Sequence, residues 1–139
     1  MQPMPSKWLS PDTLPADAQA QVDSYERRVL TTGPLAVDPI KQALVGVLME
    51  NDNYRPATFV VRLFSKDDCP KRLTAELAIT IPPQCAIGIA FDVPGFFYEA
   101  QVAQPPIWGL LTSVYALTQD FRPIAANTLH PMDLIMIHG

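Results

Sequence analysis

The amino-acid sequence predicts a single α+β domain in which an antiparallel sheet packs against helices that lie mostly on one of its faces. Apolar and polar residues alternate between positions 57 and 103, which is typical of β-strands. Before and after this region apolar residues recur with the spacing of helices. The 15 prolines fall between these periodic segments and mark their boundaries. The predicted order of elements is ααββββαβ: a β-meander of about four strands, with helices around it and a C-terminal strand.

Length and composition fit one ordered domain. Of 139 residues, 48% are hydrophobic and 17% charged, so we expect a packed core rather than disorder. Acidic residues outnumber basic ones by 14 to 10, which argues against direct binding of nucleic acid. Residues 1–14 are predicted to form an extended, proline-rich arm, and residues 15–139 the domain. The arm carries Trp8, which packs either on its own domain or on another subunit.

No stretch approaches the ~20 apolar residues that span a membrane, and residues 1–5 lack the apolar core of a signal peptide. These features predict a cytoplasmic protein, or part of an assembled particle, without a membrane partner. We therefore expect Cys69 and Cys85 to be reduced. They flank the predicted strand 73–81, whose ends are ~30 Å apart at ~3.3 Å per residue, so they should not be joined to each other.

Three segments have the spacing expected of helices. The first, residues 15–30, begins with proline in its first turn and is followed by Gly33. The second begins at Asp38 as N-cap, with Pro39 as its first residue, and ends before residues 51–53. The third is predicted over residues 106–121. One side of it carries small, uncharged residues, which favours contact with another element or subunit.

The strand pattern predicts segments 57–64, 73–81, 87–93 and 96–103, with a short strand at 134–138. We expect 87–93 and 96–103 to form a hairpin across Pro94-Gly95. In that register Phe91 pairs with Tyr98, and the apolar residues of both strands share one face. A shift by one residue would destroy this segregation.

The most specific candidate site is acidic. If the apolar faces of strands 73–81 and 87–93 align, Glu76 lies directly opposite Asp92, with Glu99 diagonally beyond. Close carboxylates can ligate a divalent cation or work as an acid–base pair. Arg62 on the neighbouring strand shares this face and can neutralise Glu76. We therefore interpret the row chiefly as a solvated face and secondarily as a partner-binding strip, and we assign no metal or cofactor.

Motifs of the commonest enzyme classes are absent from the sequence. The six glycines are too scattered for a phosphate-binding loop, and no Gly-x-Ser-x-Gly occurs. No catalytic residue is assigned. Residues 85–139 carry only five charged side chains, so this half must be buried in its own core or against a partner. The charged residues are Asp92, Glu99, Asp120, Arg122 and Asp133.

These observations favour a non-enzymatic assembly or interaction module, a small subunit of a larger complex or of a homo-oligomer. Phage virion structural or accessory components have a similar profile. The expected partner is another protein or a second copy. The candidate partner-binding residues are Trp8, Glu76, Asp92, Glu99 and Trp108. The alternative is a small-molecule binder or enzyme with an apolar pocket between sheet and helices. Its predicted lining residues are Phe91, Phe96, Tyr98 and Trp108.

Overall fold

The computed structural model describes residues 8–20 and 27–138. Two β-sheets pack face to face, and the described residues contain no α-helix, so the α+β prediction with helices on one face is wrong. The helical content of these described residues consists of three short 3₁₀ turns, at Pro11–Thr13, Ala16–Ala18 and Pro131–Asp133. The protein is a β-sandwich.

The strands in chain order are β1 (Trp8–Leu9), β2 (Gln19–Ala20), β3 (Arg28–Thr31), β4 (Leu35–Ala36), β5 (Leu44–Asn51), β6 (Ala57–Ser65), β7 (Arg72–Ile81), β8 (Cys85–Asp92), β9 (Phe97–Gln104), β10 (Leu110–Leu117), β11 (Pro123–Leu129) and β12 (Ile135–His138). Those predicted at 57–64, 73–81, 87–93, 96–103 and 134–138 are therefore confirmed as strands β6, β7, β8, β9 and β12.

The first sheet has the strand order β1-β8-β5-β10-β11, and the second has the order β12-β3-β9-β6-β7-β2, with β4 also paired to β9. Every pairing is antiparallel except that of β1 with β8. Across the sandwich β8 contacts β7, β5 contacts β6, and β10 contacts β9.

The core lies between the two sheets and is built by alternate residues of each long strand. Val45, Val47 and Met49 of β5 are fully buried. Phe59 of β6 and Ile79 of β7 are also fully buried and belong to the same core cluster. Alternation in the sequence therefore identified the inward residues of β6 and β7.

The first predicted helix, residues 15–30, is wrong. Its described part forms the turn Ala16–Ala18 and strands β2 and β3, and residues 21–26 lie outside the described residues. Val29 and Leu30 continue into two threonines, and β-branched residues of this kind favour strands. In the structure β3 pairs with β9, so tertiary pairing prevails over the helical spacing.

The second predicted helix is reduced to one turn. Oδ1 of Asp38 accepts hydrogen bonds of 3.0 Å from the N–H groups of Ile40 and Lys41, as an N-cap does. The N–H of Gln42 donates to the Asp38 carbonyl at 3.1 Å, and the chain then enters β5. Strand β5 carries apolar residues on both faces because both are covered, and such a strand cannot be distinguished from a buried helix by periodicity.

The third predicted helix, residues 106–121, is strand β10, which is also wrong as a prediction. Leu110, Thr112, Val114 and Ala116 are buried, two residues apart along the strand. β10 lies between β5 and β11 within the first sheet. On its other face, Tyr115 and Leu117 pack against Trp8, so this face also carries apolar residues and the alternation is weak. Weak alternation explains why the sequence resembles a helix.

The predicted 87–103 hairpin does not form, because β8 and β9 belong to different sheets. The connection through Pro94-Gly95 crosses from one sheet to the other. Phe91 and Tyr98 are both in the core, yet Phe91 pairs with Val45 of β5 and Tyr98 with Ser65 of β6. Alternation shows which residues face inward, but it does not identify the strand that each one pairs with.

Candidate interaction surfaces

The predicted row of three carboxylates is divided between the two sheets. Asp92 ends β8 in the first sheet and pairs with Leu44, whereas Glu76 and Glu99 lie in the second sheet. The register that was to bring Glu76 opposite Asp92 is therefore wrong. Nε of Arg62 donates to Oε2 of Glu76 at 2.6 Å, the pairing that the sequence predicted.

Trp8 packs on its own domain, which is one of the two predicted alternatives. Its side chain lies on the outer face of the first sheet, and the residue is only 6% exposed. A Cβ added at Gly46 would lie 2.8 Å from the indole, and one added at Gly88 would lie 3.0 Å from it. Because neither glycine has a side chain, the indole fits against β5 and β8, in a space that we call the Trp8 socket. The ring of Tyr115 packs edge-to-face on the indole, with centroids 5.6 Å apart.

The side chain of Glu99 lies on the second sheet and is only 6% exposed. It accepts hydrogen bonds from Nζ of Lys71 at 2.8 Å, from Nε2 of Gln101 at 3.0 Å and from the hydroxyl of Thr31. Burial by itself raises the pKa of Glu99, but these hydrogen bonds together lower it to about 2. Nζ of Lys66 lies 3.7 Å from Oε1 of Glu99. Since Lys66 and Lys71 both contact Glu99, the two ends of loop 66–71 are held on β9. Glu99 therefore has a clear structural role.

Exposed aromatic side chains occur where the loops after β5 and before β10 meet. The rings of Tyr54 and Trp108 pack edge-to-face with centroids 5.7 Å apart and planes at 72°. Tyr54 is 78% exposed and Trp108 62% exposed. They line a cleft of about 550 Å³ with Asn53, Arg55, Pro106 and Ile107. We call this group of six residues the aromatic tip.

The backbone of the aromatic tip is held by buried amide side chains. Nδ2 of Asn51 donates to the carbonyls of Arg55 and Ile81 at 2.8 and 3.0 Å. Nδ2 of Asn53 donates to the carbonyl of Trp108 at 3.0 Å, and its Oδ1 accepts the N–H groups of Tyr54 and Arg55. The two loops are therefore fixed to each other and to the end of β7.

A second exposed apolar surface is strand β12. Its three apolar residues, Ile135, Met136 and Ile137, are 61%, 56% and 52% exposed. One edge of the strand pairs with β3, and among the described residues no strand pairs with the other edge. Ile135 and Met136 pair regularly with β3 and, as neighbours in a strand, point to opposite faces, so their exposure means that both faces of β12 are open. Ile137 lies where the register shifts.

The exposed apolar residues are concentrated in the charge-poor half of the chain. Of the twelve large hydrophobic side chains exposed in the described part of the structure, nine lie in residues 85–139. The sequence predicted that this half is buried in its own core or against a partner. Its own core leaves these nine side chains in solvent.

The lining residues predicted for an apolar pocket do not come together. Phe91 and Tyr98 are packed in the core, whereas Phe96 and Trp108 are 79% and 62% exposed. Asp92 instead lines an open groove of about 540 Å³ whose other lining residues include Asp12 and Arg72.

Cys69 and Cys85 are both free and exposed, which confirms that they are not joined.

Sequence reasoning found Trp108 but missed its partner Tyr54, since residues 51–53 were interpreted only as the end of a helix. It also found strand β12 but not its exposure. The run Ile135-Met136-Ile137 lacks alternation, and in a terminal strand this signals either complete burial or an open edge.

Comparison with known proteins supports the fold alone. No protein-family model and no curated protein sequence matches the chain. A solved structure, the crystal structure of Thermotoga maritima 1070, is similar with a TM-score of 0.50 and 10% sequence identity. The similarity covers 84% of this chain and 95% of that chain. The comparisons do not support a virion component or a cytoplasmic location.

Within residues 8–20 and 27–138, no helix is long and apolar enough to cross a membrane.

Proposed function

We propose that the protein is a non-enzymatic assembly module that associates with a second copy of itself through strand β12. The observation that carries this proposal is the exposure of Ile135, Met136 and Ile137 on an open edge strand. An apolar edge offers unpaired N–H and C=O groups that can pair with another chain. β12 is four residues long and has a register shift between Met136 and His138, so the pairing is expected to be short and centred on Ile135 and Met136.

The charge distribution favours a second copy as the occupant. In a two-fold symmetric contact each residue near the axis meets its own counterpart, so a charged edge would repel itself. From Pro123 to Ile137 the sequence has one charged residue, Asp133, and one histidine. The chain as a whole carries −4. The segment from Leu134 to Ile137 therefore contributes no charged side chain, and two copies can pair along β12 without strong repulsion.

The position of β12 in its sheet supports the same contact. β12 is the edge strand of the second sheet, and its apolar side chains are more than half exposed. Antiparallel pairing of β12 with β12 of a second copy would join the second sheets of both copies into one. The second copy would also shield the uncovered faces of β12. Burial of apolar surface contributes roughly 25 cal/mol per Å² to such an association.

The test is the solution mass by light scattering. We expect the wild type to have twice the 15.4 kDa mass of one chain, and the Ile137→Lys variant to have the mass of one chain. Ile40→Lys is the matched control, because Ile40 is 89% exposed in a turn away from β12 and receives the same charge. A monomeric wild type, or a dimer that Ile137→Lys leaves intact, would contradict the proposal.

A further inference from the structure

We propose that residues 8–20 form a strap that opens as one unit while the two sheets stay folded. The segment pairs with β8 of the first sheet through β1, and with β7 of the second sheet through β2. It therefore crosses from one sheet to the other along one side of the sandwich. The proposed self-association uses β12, which is the opposite edge of the second sheet, so the two proposals are independent.

Few backbone pairs hold the strap. β1 and β2 are two residues long, Trp8–Leu9 and Gln19–Ala20, and each is the last strand of its sheet. Among the described strands, the pairing of β1 with β8 is also the only parallel one. Edge elements with so few backbone hydrogen bonds open at a lower free energy than the central strands of a sheet.

The turn and side-chain hydrogen bonds described for the strap stay within it. The N–H of Thr13 donates to the carbonyl of Ser10 at 3.1 Å, and the hydroxyl of Thr13 accepts the N–H of Ser10 at 3.0 Å. Nε2 of Gln19 donates to the carbonyl of Leu14 at 3.1 Å and so ties β2 to the middle of the segment. These bonds do not have to break when the strap leaves the sandwich, which favours opening as one unit.

Three apolar side chains anchor the strap. Trp8, Leu14 and Ala18 are only 6%, 4% and 7% exposed. Trp8 fills the Trp8 socket on the outer face of the first sheet, whereas Leu14 and Ala18 belong to the core between the sheets. Their burial keeps the closed form dominant. Opening exposes these few side chains, which is a small part of the apolar surface that global unfolding exposes.

The anchor at Trp8 contains an unmet hydrogen bond. Nε1 of its indole is buried, and no acceptor among the described residues lies within hydrogen-bond distance of it. A buried donor without a partner opposes the burial of its own ring, because the N–H has lost its hydrogen bond to water. Opening returns the N–H to solvent and uncovers Gly46 and Gly88, which have no side chains of their own to cover this face.

The experiment is native-state amide hydrogen exchange of the full-length protein at increasing concentrations of guanidinium chloride. We expect the protected amides of β1 and β2 to share one opening equilibrium and to exchange at least about a hundredfold faster than those of β5, a central strand. Their exchange should also depend on denaturant less than half as steeply as that of β5, roughly, because strap opening exposes less surface.

Gly46→Ala tests whether the two ends of the strap open together. The added methyl group crowds Trp8 at 2.8 Å and should speed exchange in β1 at least about tenfold. If the strap is one unit, exchange in β2 rises by the same factor, although β2 lies on the other sheet.

Val102→Ala is the matched control, because Val102 is 1% exposed in β9, and β6 and β7 lie between β9 and β2. It should speed exchange in β5 by lowering global stability and leave exchange in β1 and β2 unchanged. Two results would overturn the proposal. One is that β1 and β2 exchange in the wild type with the same free energy and denaturant dependence as β5. The other is that Gly46→Ala speeds exchange in β1 and leaves β2 unaffected.

Discussion

The backbone N–H of Asn53 donates a hydrogen bond of 2.9 Å to Oδ1 of Asn51. Both residues are buried, and between them they reach the loop after β5, the end of β7 and the carbonyl of Trp108. Two short amide side chains therefore connect three segments that are distant in sequence. The exposed rings of Tyr54 and Trp108 depend on this connection for their relative placement.

Asn51→Asp is expected to destabilise the protein by about 2–4 kcal/mol, because a fully buried carboxylate would replace the donor that serves two carbonyl groups. Denaturant unfolding measures the loss. Gln84→Glu is the matched control, since it makes the same change of amide to acid at an exposed residue of the same end of the sandwich. We expect it to cost less than about 1 kcal/mol. Equal losses in the two variants would show that the buried amide has no special role.

Glu99 is expected to make stability depend on pH. Its folded-state pKa is lowered to about 2 from an ordinary value of 4.5, so its contribution is complete above pH 4.5 and is lost as the pH falls towards 2. The shift corresponds to about 3 kcal/mol. Glu99→Gln should lower the unfolding free energy at pH 7 and flatten its decline between pH 4.5 and 2.

Glu76→Gln serves as the control for that measurement. The Arg62–Glu76 pair is about one-third exposed, and such pairs contribute roughly 0–1 kcal/mol. Its acid-unfolding profile should therefore follow that of the wild type closely. If Glu99→Gln has an unchanged profile, the network around Glu99 does not stabilise the folded state.

Gly46→Ala is expected to displace Trp8 from its socket. The new methyl group would lie 2.7 Å from Cδ1 of Leu117 and 2.8 Å from the indole, closer than real contacts allow. A stability loss of about 1–3 kcal/mol is expected from such overpacking. In a Trp108→Phe background, quenching of the Trp8 fluorescence by acrylamide should increase.

Gly88→Ala provides a graded comparison, because its added methyl group would lie 3.0 Å from the indole rather than 2.8 Å. We expect a smaller loss of stability and a smaller increase in quenching. An unaltered Trp8 signal in Gly46→Ala would mean that the indole does not occupy the socket.

The sequence predicted the strands of the second sheet better than those of the first. Alternation in β6 and β7 is strong because parts of their outer faces carry residues such as Arg62 and Glu76, which remain in contact with solvent. β5 and β10 lack that contrast, since Trp8 and its neighbours cover the outer face of the first sheet. Tertiary burial removed the periodic signal there, and helices were predicted in place of strands.

Partner assignment was also beyond the sequence. Phe91 and Tyr98 both lie in the core, but they belong to different sheets and do not share one face as predicted. Two strands that face each other across a core have the same pattern as two strands that pair within a sheet. The position of Asp92 relative to Glu76 followed from that pairing and was therefore wrong. Trp108 was found as a single residue, whereas its contact with Tyr54 depends on the fold of two separate loops.

Amide hydrogen exchange in β12, measured over a series of protein concentrations, tests the central claim most directly. If β12 pairs with β12 of a second copy, the outward N–H groups of Ile135–His138 should become protected as concentration rises, while Ile137→Lys should show fast exchange throughout. Fast, concentration-independent exchange of these amides in the wild type would contradict self-association through this strand.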